Sequence, residues 1–339
     1  MWEVKNRTKF QAAGAFERDK DGLESWCVAV RATFDIGPAG DLAIASQQPE
    51  VRLAPAYFDA DNRELLGEQD IVAFAVATDV LVRGTVKVRA AETECLPLRL
   101  TVGPIKKQAR LFGPRMAKRG LLGWKVEQQQ PVGDTALRWH NSYGGTLSQP
   151  EIWHPANPLG RGLELRRTAK TPRGDLVALP MLEAADRDLL DDPDRAHPVG
   201  FGPIARNWEP RVALAGTYDA AWESKRAPLL PKDFDPLFYS TAPADQQVAG
   251  FLKGGEKVLL EGFFADGPVG FRLPQVVLLA QSLIRHRPVE TRFNLVRVEF
   301  DLDARQLQMV WTSAVPCNGD DAGLQSTIVR LKQISGVAL

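Results

Sequence analysis

No stretch of this chain approaches the roughly 18 consecutive apolar residues that a membrane-spanning helix needs. The opening residues, MWEVKNRTKFQAAGAF, also lack the apolar run of a secretory leader. Both absences lead to the expectation of a cytoplasmic protein with no membrane partner. Cysteine is scarce: Cys27, Cys95 and Cys317 are odd in number and far apart, which fits reduced, mostly buried thiols better than a disulfide framework. The four histidines, His140, His154, His197 and His286, stand alone. Without His-x-x-x-His or Cys-x-x-Cys spacing they read as structural or solvated rings, and no metal is expected. Neither sign of charge is in excess: 42 Lys and Arg balance 42 Asp and Glu, so nothing global draws the chain to nucleic acid.

Catalytic motifs are missing as well. There is no Gly-x-Ser-x-Gly elbow, and no cysteine sits in a recognised signature with histidine. Gly160-Arg161-Gly162 and Gly200-Phe201-Gly202 complete no nucleotide fingerprint and read as turn glycines. The acidic run Glu183, Asp186, Asp188, Asp191, Asp192 and Asp194 lacks the order of a calcium loop, so a solvated loop is expected. The basic stretch Lys106, Lys107, Arg110, Arg115, Lys118 and Arg119 is interleaved with Ile105, Ala109 and Leu111, as in a strand with one wet face. Asp233 and Asp235 have the residue type of a glycosidase acid–base pair, but residues two apart on a loop more readily serve turns and caps.

What the chain does have is alternation. Trp26, Val28, Val30, Ala32, Phe34 and Ile36 take even positions, with Arg31, Thr33 and Asp35 between them, so one buried and one wet face is expected. Turn residues follow at 35–40, and further alternating runs lie at 80–88 and 96–102. Near the other end Val296, Val298, Phe300 and Leu302 alternate with Arg297, Glu299, Asp301 and Asp303. A hairpin turn is expected at Asp303-Ala304-Arg305, a closing strand over 327–334, and a helix or a buried strand over 273–283. Of 24 prolines, 13 fall between Pro150 and Pro243, which predicts loops and short elements there. Trp139, Trp153, Trp208 and Trp222 in or beside that stretch argue that it is ordered. The expected fold is therefore mainly β, with antiparallel sandwich- or barrel-like sheets at both ends and an ordered Pro/Gly/Trp-rich region between them. Three segments follow: 1–120, 121–250 and 251–339, the last able to pack as one unit with the middle.

The middle also carries an ordered string of unusual motifs: His140-Asn141-Ser142-Tyr143-Gly144-Gly145, Asn157-Pro158-Leu159-Gly160-Arg161-Gly162, Pro198 to Ile204, Trp208-Glu209-Pro210-Arg211, Ala215 to Asp219 with Trp222, and Leu230 to Asp235. With Val30 to Asp35, Thr78 to Gly84 and Phe112 to Arg115, this set is similar to a domain-of-unknown-function family encoded beside type VI secretion effectors. It departs from that family's pattern at Gly113-Pro114-Arg115-Met116 and at Ser142-Tyr143. The resemblance implies an adaptor or chaperone and not an enzyme, with no cofactor. Such a protein would bind a toxic effector, often one carrying a PAAR spike-tip domain, and help load it onto the secretion spike, whose own protein is a further candidate partner. The family signature and candidate partner-binding positions are Tyr143, Gly144, Gly145, Asn157, Gly160, Gly162, Gly202, Pro203, Trp208, Arg211, Gly216, Thr217, Tyr218, Asp219, Trp222, Pro231, Asp233 and Phe234. Trp208, Arg211, Tyr218 and Trp222 can equally form a second core under the loops. Two alternatives stand beside the adaptor: a carbohydrate-active hydrolase using Asp219, Asp233 and Asp235, and a structural or cargo domain of the spike.

Overall fold

The computed structural model describes residues 2–59, 61, 64–89, 94–149, 151–317 and 323–338. The alternating runs become strands, because residues two apart share a face and the apolar faces bury together. Seven strands form the largest sheet, in the order Gln11–Arg18, Glu24–Ile36, Gln306–Pro316, Asn294–Asp301, Ala77–Arg83 and Gln247–Ala249, with Leu42–Ile44 paired to the end of Glu24–Ile36. All its pairs are antiparallel except Asn294–Asp301 with Ala77–Arg83. A five-stranded sheet orders Leu182–Ala184, Ile105–Phe112, Cys95–Val102, Lys257–Glu261 and Val269–Arg272. A four-stranded sheet orders Glu3–Arg7, Leu324–Ser335, Gln275–Ile284 and Arg287–Arg292.

One apolar core joins the three sheets. Val28, Val30 and Phe34 from the largest sheet cluster with Leu98, Leu100 and Val102 from the five-stranded sheet and Leu278 and Val329 from the four-stranded sheet. The fold is thus mainly β and sandwich-like, and among the described residues no sheet closes into a barrel. Strands from all three sequence segments share the largest sheet. In the middle segment, after Trp124–Gln129, the described elements are strands of two or three residues, single turns of 3-10 helix and two short α-helices, in keeping with its prolines. Among the described residues no helix is long and apolar enough to cross a membrane.

Residues 273–283 resolve as strand. Gln275–Ile284 buries Val276, Leu278 and Ala280 and leaves Val277 exposed. The hairpin at 303–305 forms as expected: Asp301 Oδ1 accepts from the Asp303 and Ala304 amides, and Arg305 turns the chain at φ 53°. Leu324–Ser335 contains the closing strand.

The wet face expected on Glu24–Ile36 is a correction. Arg31 and Thr33 are buried and only Asp35 is exposed. Residues 45–59 and 64–73 fold across that face, where Val51 and Ile71 pack on Cys27 and Ala29. The charges there are paired instead of solvated. Asp70 bridges Arg31 at 3.0 Å and Arg297 at 2.6 Å, while Glu299 meets Arg52 at 2.9 Å and Arg83 at 2.5 Å. Burial alone would raise the Glu299 carboxyl, but Arg52, Arg83 and Arg31 hold it well below the ordinary carboxylate range. Cys27 and Cys317 are buried and Cys95 is half-buried.

Candidate functional site

The motif residues assemble into two groups. The first is a backbone knot around Asn157. Tyr143-Gly144 pairs in parallel with Arg161-Gly162, and the Gly145 amide donates to the Asn157 carbonyl at 2.8 Å. The buried Asn157 side chain donates to the carbonyls of Trp139 at 2.8 Å and Tyr143 at 2.9 Å, which ties three turns together. Glycine is required where these segments cross. At Gly144, φ is 138° and a Cβ would lie 2.2 Å from the Asn157 carbonyl oxygen. At Gly160 it would lie 2.6 Å from the Ser142 carbonyl oxygen. Nothing in the structure explains the glycine at position 202, where a Cβ would find only ordinary contact.

Trp139 and Trp208 pack beside the knot, edge to face at 6.0 Å, and Trp139 Nε1 donates to the Pro203 carbonyl at 2.9 Å. Arg211 is buried. It donates to the carbonyls of Ile204 and Phe238 and pairs with Glu68 at 3.2 Å. Glu68 also holds Arg206, and its carbonyl accepts from Arg297, so the middle region is wired into the charged face of the largest sheet. Sequence reasoning missed Glu64, Glu68 and Asp70 altogether. Their acidity was visible, but the arginines they serve lie 39 or more residues away in sequence. His154, also buried, receives the Ala156 amide at 3.3 Å, and burial with Arg166 nearby depresses its pKa to about 4.

The second group is a surface latch. Asp233 accepts from the Thr217 amide at 3.1 Å and its hydroxyl at 2.8 Å, and these bonds hold its carboxyl below the ordinary range. Gly216 sits at φ 83°, where a Cβ would crowd Pro231 and Asp233. Asp219 caps the helix Ala220–Lys225 through the Trp222 amide, and Trp222 Nε1 donates to the Leu229 carbonyl at 2.8 Å. Tyr218, 52% exposed, stacks edge-on against Trp222 at 4.7 Å. Pro231 and Phe234 are buried beneath. An open cleft of about 840 Å³ lies here, lined by Thr217, Asp219, Trp222, Lys232 and Asp233 among others. Asp235 does not join it; its carboxylate accepts from the Leu237 amide and caps the next turn.

The remaining charged runs are structural in part. Lys107 is buried with its Nζ 2.9 Å from Asp245, on the wall of a larger cleft of about 1370 Å³ that reaches Trp139 and Gly200. Arg115 is buried against Glu183 and lies 3.6 Å over the Phe112 ring. Ile105–Phe112 keeps the expected wet face, with Lys106 and Gln108 exposed, and Asp186, Asp188 and Asp191 are exposed as expected of a solvated loop; the corrections are Lys107, Arg115 and Glu183, each buried with a partner of opposite charge. Among the described residues no three His, Cys, Asp or Glu side chains group as metal ligands.

A family model described as an uncharacterized protein conserved in bacteria (DUF2169) matches residues 21–312. The chain belongs to this family. No curated protein and no solved structure matches it. The DUF2169 span takes in both motif groups and the buried charges that anchor them, and it stops short of the closing strand Leu324–Ser335.

Proposed function

We propose that this protein is an adaptor-chaperone of type VI secretion, one that binds a toxic, PAAR-linked effector in the cytoplasm and helps load it onto the spike. The observation that carries the reading is the latch. Tyr218 and Trp222 form an aromatic pair at the surface, pre-ordered by the Thr217–Asp233 bonds and the Asp219 cap. A pre-ordered aromatic surface loses little conformational entropy on docking, and Tyr and Trp are residue types that dominate interface energies. The knot supports the same reading as a rigid platform, since its glycines and Asn157 are used up in holding the backbone.

The test is co-expression with the neighbouring PAAR-containing effector. Wild-type protein should co-purify with it and raise its solubility, while Tyr218→Ala should weaken capture about tenfold and leave the melting temperature unchanged. Absence of any co-purification by the wild-type protein would count decisively against the reading.

The cleft beside Trp222 favours one second reading, a carbohydrate-active hydrolase with Asp219 and Asp233. Its difficulty is chemical: a general acid needs a raised carboxyl pKa, and Asp233 is held low by Thr217. A glycan-cleaving activity lost in Asp233→Asn with folding intact would establish it; no activity across a polysaccharide panel would dismiss it.

A further inference from the structure

We propose that the small lobe built from residues 115–129 and 163–178 is a docking surface for an acidic, extended polypeptide segment, which adds as a strand beside Trp124–Gln129. The proposal deepens the adaptor reading and rests on it only for the segment's identity as cargo.

Three observations converge on this lobe. Its three-stranded sheet runs Trp124–Gln129, Arg115–Arg119, Leu176–Ala178. Trp124–Gln129 therefore carries no ladder on its outer side among the described residues, and every residue from Lys125 to Gln129 is exposed. An unpaired edge is a template for another strand. This edge is presented firmly, because Trp124 packs on the buried Ala117, Leu165 and Val177 and its Nε1 donates to the Leu165 carbonyl at 3.0 Å. Next to it, Leu121 and Leu122 at the hairpin tip are 81% and 98% exposed, the most exposed large apolar side chains described. An isolated exposed leucine is ordinary; an adjacent pair beside an open sheet edge marks a contact surface.

Charge selects the occupant. The two stretches hold eight Lys or Arg against three Asp or Glu, in a chain whose total is balanced. Glu183 and Asp194 neutralise Arg115 and Arg167, and an excess of three positive charges remains. Lys125, Lys170 and Arg173 are exposed. An acidic strand would satisfy the open backbone groups and these cations together. Two other occupants fit less well. An anionic bilayer would suit a leucine tip with lysines, but the unpaired N–H and C=O groups of a sheet edge cannot enter hydrocarbon. A second copy would bring two basic lobes face to face.

The experiment uses the full-length protein and a labelled peptide of alternating Val and Glu, with an alternating Val and Lys peptide as control. The Val/Glu peptide should slow amide exchange across 124–129 about tenfold, and Lys118→Glu with Lys125→Glu should weaken its binding about tenfold at an unchanged melting temperature. No protection, or equal binding of the Val/Lys peptide, overturns the proposal. So does protection that grows with protein concentration alone, or that phosphatidylserine vesicles supply in place of peptide. Cargo capture separates the two readings. If the wild type and the double variant capture the neighbouring effector equally, the edge proposal fails and the adaptor reading stands. If the wild type captures none, the adaptor reading fails and the peptide arm alone decides the edge.

Discussion

At Gly144 two penalties coincide, a φ of 138° and a backbone carbonyl 2.2 Å from where a Cβ would stand. Gly174 shares only the first: φ is 92° with open space around it. Gly144→Ala should therefore cost at least about 3 kcal/mol, against about 1 kcal/mol for Gly174→Ala. Urea denaturation of the two variants checks this, and equal losses would refute the crossing-segment account of the knot. His154 makes a second residue-scale prediction. Its folded pKa of about 4 lies below the 6.5 of an unperturbed ring, so the unfolded chain takes up the proton first as pH falls. Stability contributed by neutral His154 is present above pH 6.5 and should drain away between 6.5 and 4, by up to about 3 kcal/mol. His154→Asn should flatten that part of the stability profile, though lowering the curve; an unchanged slope would show that the ring titrates normally.

Among the elements, the short helix Ala220–Lys225 depends on its cap. Removing the Asp219 carboxylate leaves the Trp222 amide without its acceptor, a loss of about 1 kcal/mol. Asp219→Ala should speed exchange of the Trp222 amide about fivefold and leave the sheets untouched; exchange spread evenly over the molecule would contradict a local cap. Strands were legible because period two is a local property. Leu307, Met309 and Trp311, or Val276 and Leu278, bury as their spacing says. Solvent exposure of the other face was not legible, because burial of Arg31, Arg297 and Glu299 depends on what folds over them. In the motif region the glycines and Asn157 were visible as unusual, yet their function as a crossing point needed segments 12 or more residues apart to meet.

For the whole molecule, the buried charges bind the layers. Asp70 and Glu68 on one loop connect Arg31 and Arg297 of the largest sheet to Arg206 and Arg211 of the motif region. Removing one partner of such a network leaves an uncompensated buried charge. Glu299→Gln should cost about 3–5 kcal/mol at neutral pH, measured by denaturation. Because the Glu299 carboxyl is held low in the fold, its contribution is present above the ordinary carboxylate pKa of 4.5 and is lost as pH falls below it. The variant should accordingly be less sensitive to acid than the wild type; equal sensitivity would show that other carboxylates govern acid unfolding. The adaptor reading belongs to this scale too, since it needs a rigid platform that keeps the latch and the basic lobe in place during docking.

By itself the sequence determined a mainly β chain, its principal strands and an ordered, proline-rich middle, because alternation and turn chemistry act over a few residues. Only the tertiary structure decided which polar residues are buried and which motif residues face solvent. Arg211 and Asn157 turned inward to satisfy carbonyls and a carboxylate that no local rule connects to them. Tyr218 and the Leu121-Leu122 tip stayed outside, since none of the described segments folds back to cover them.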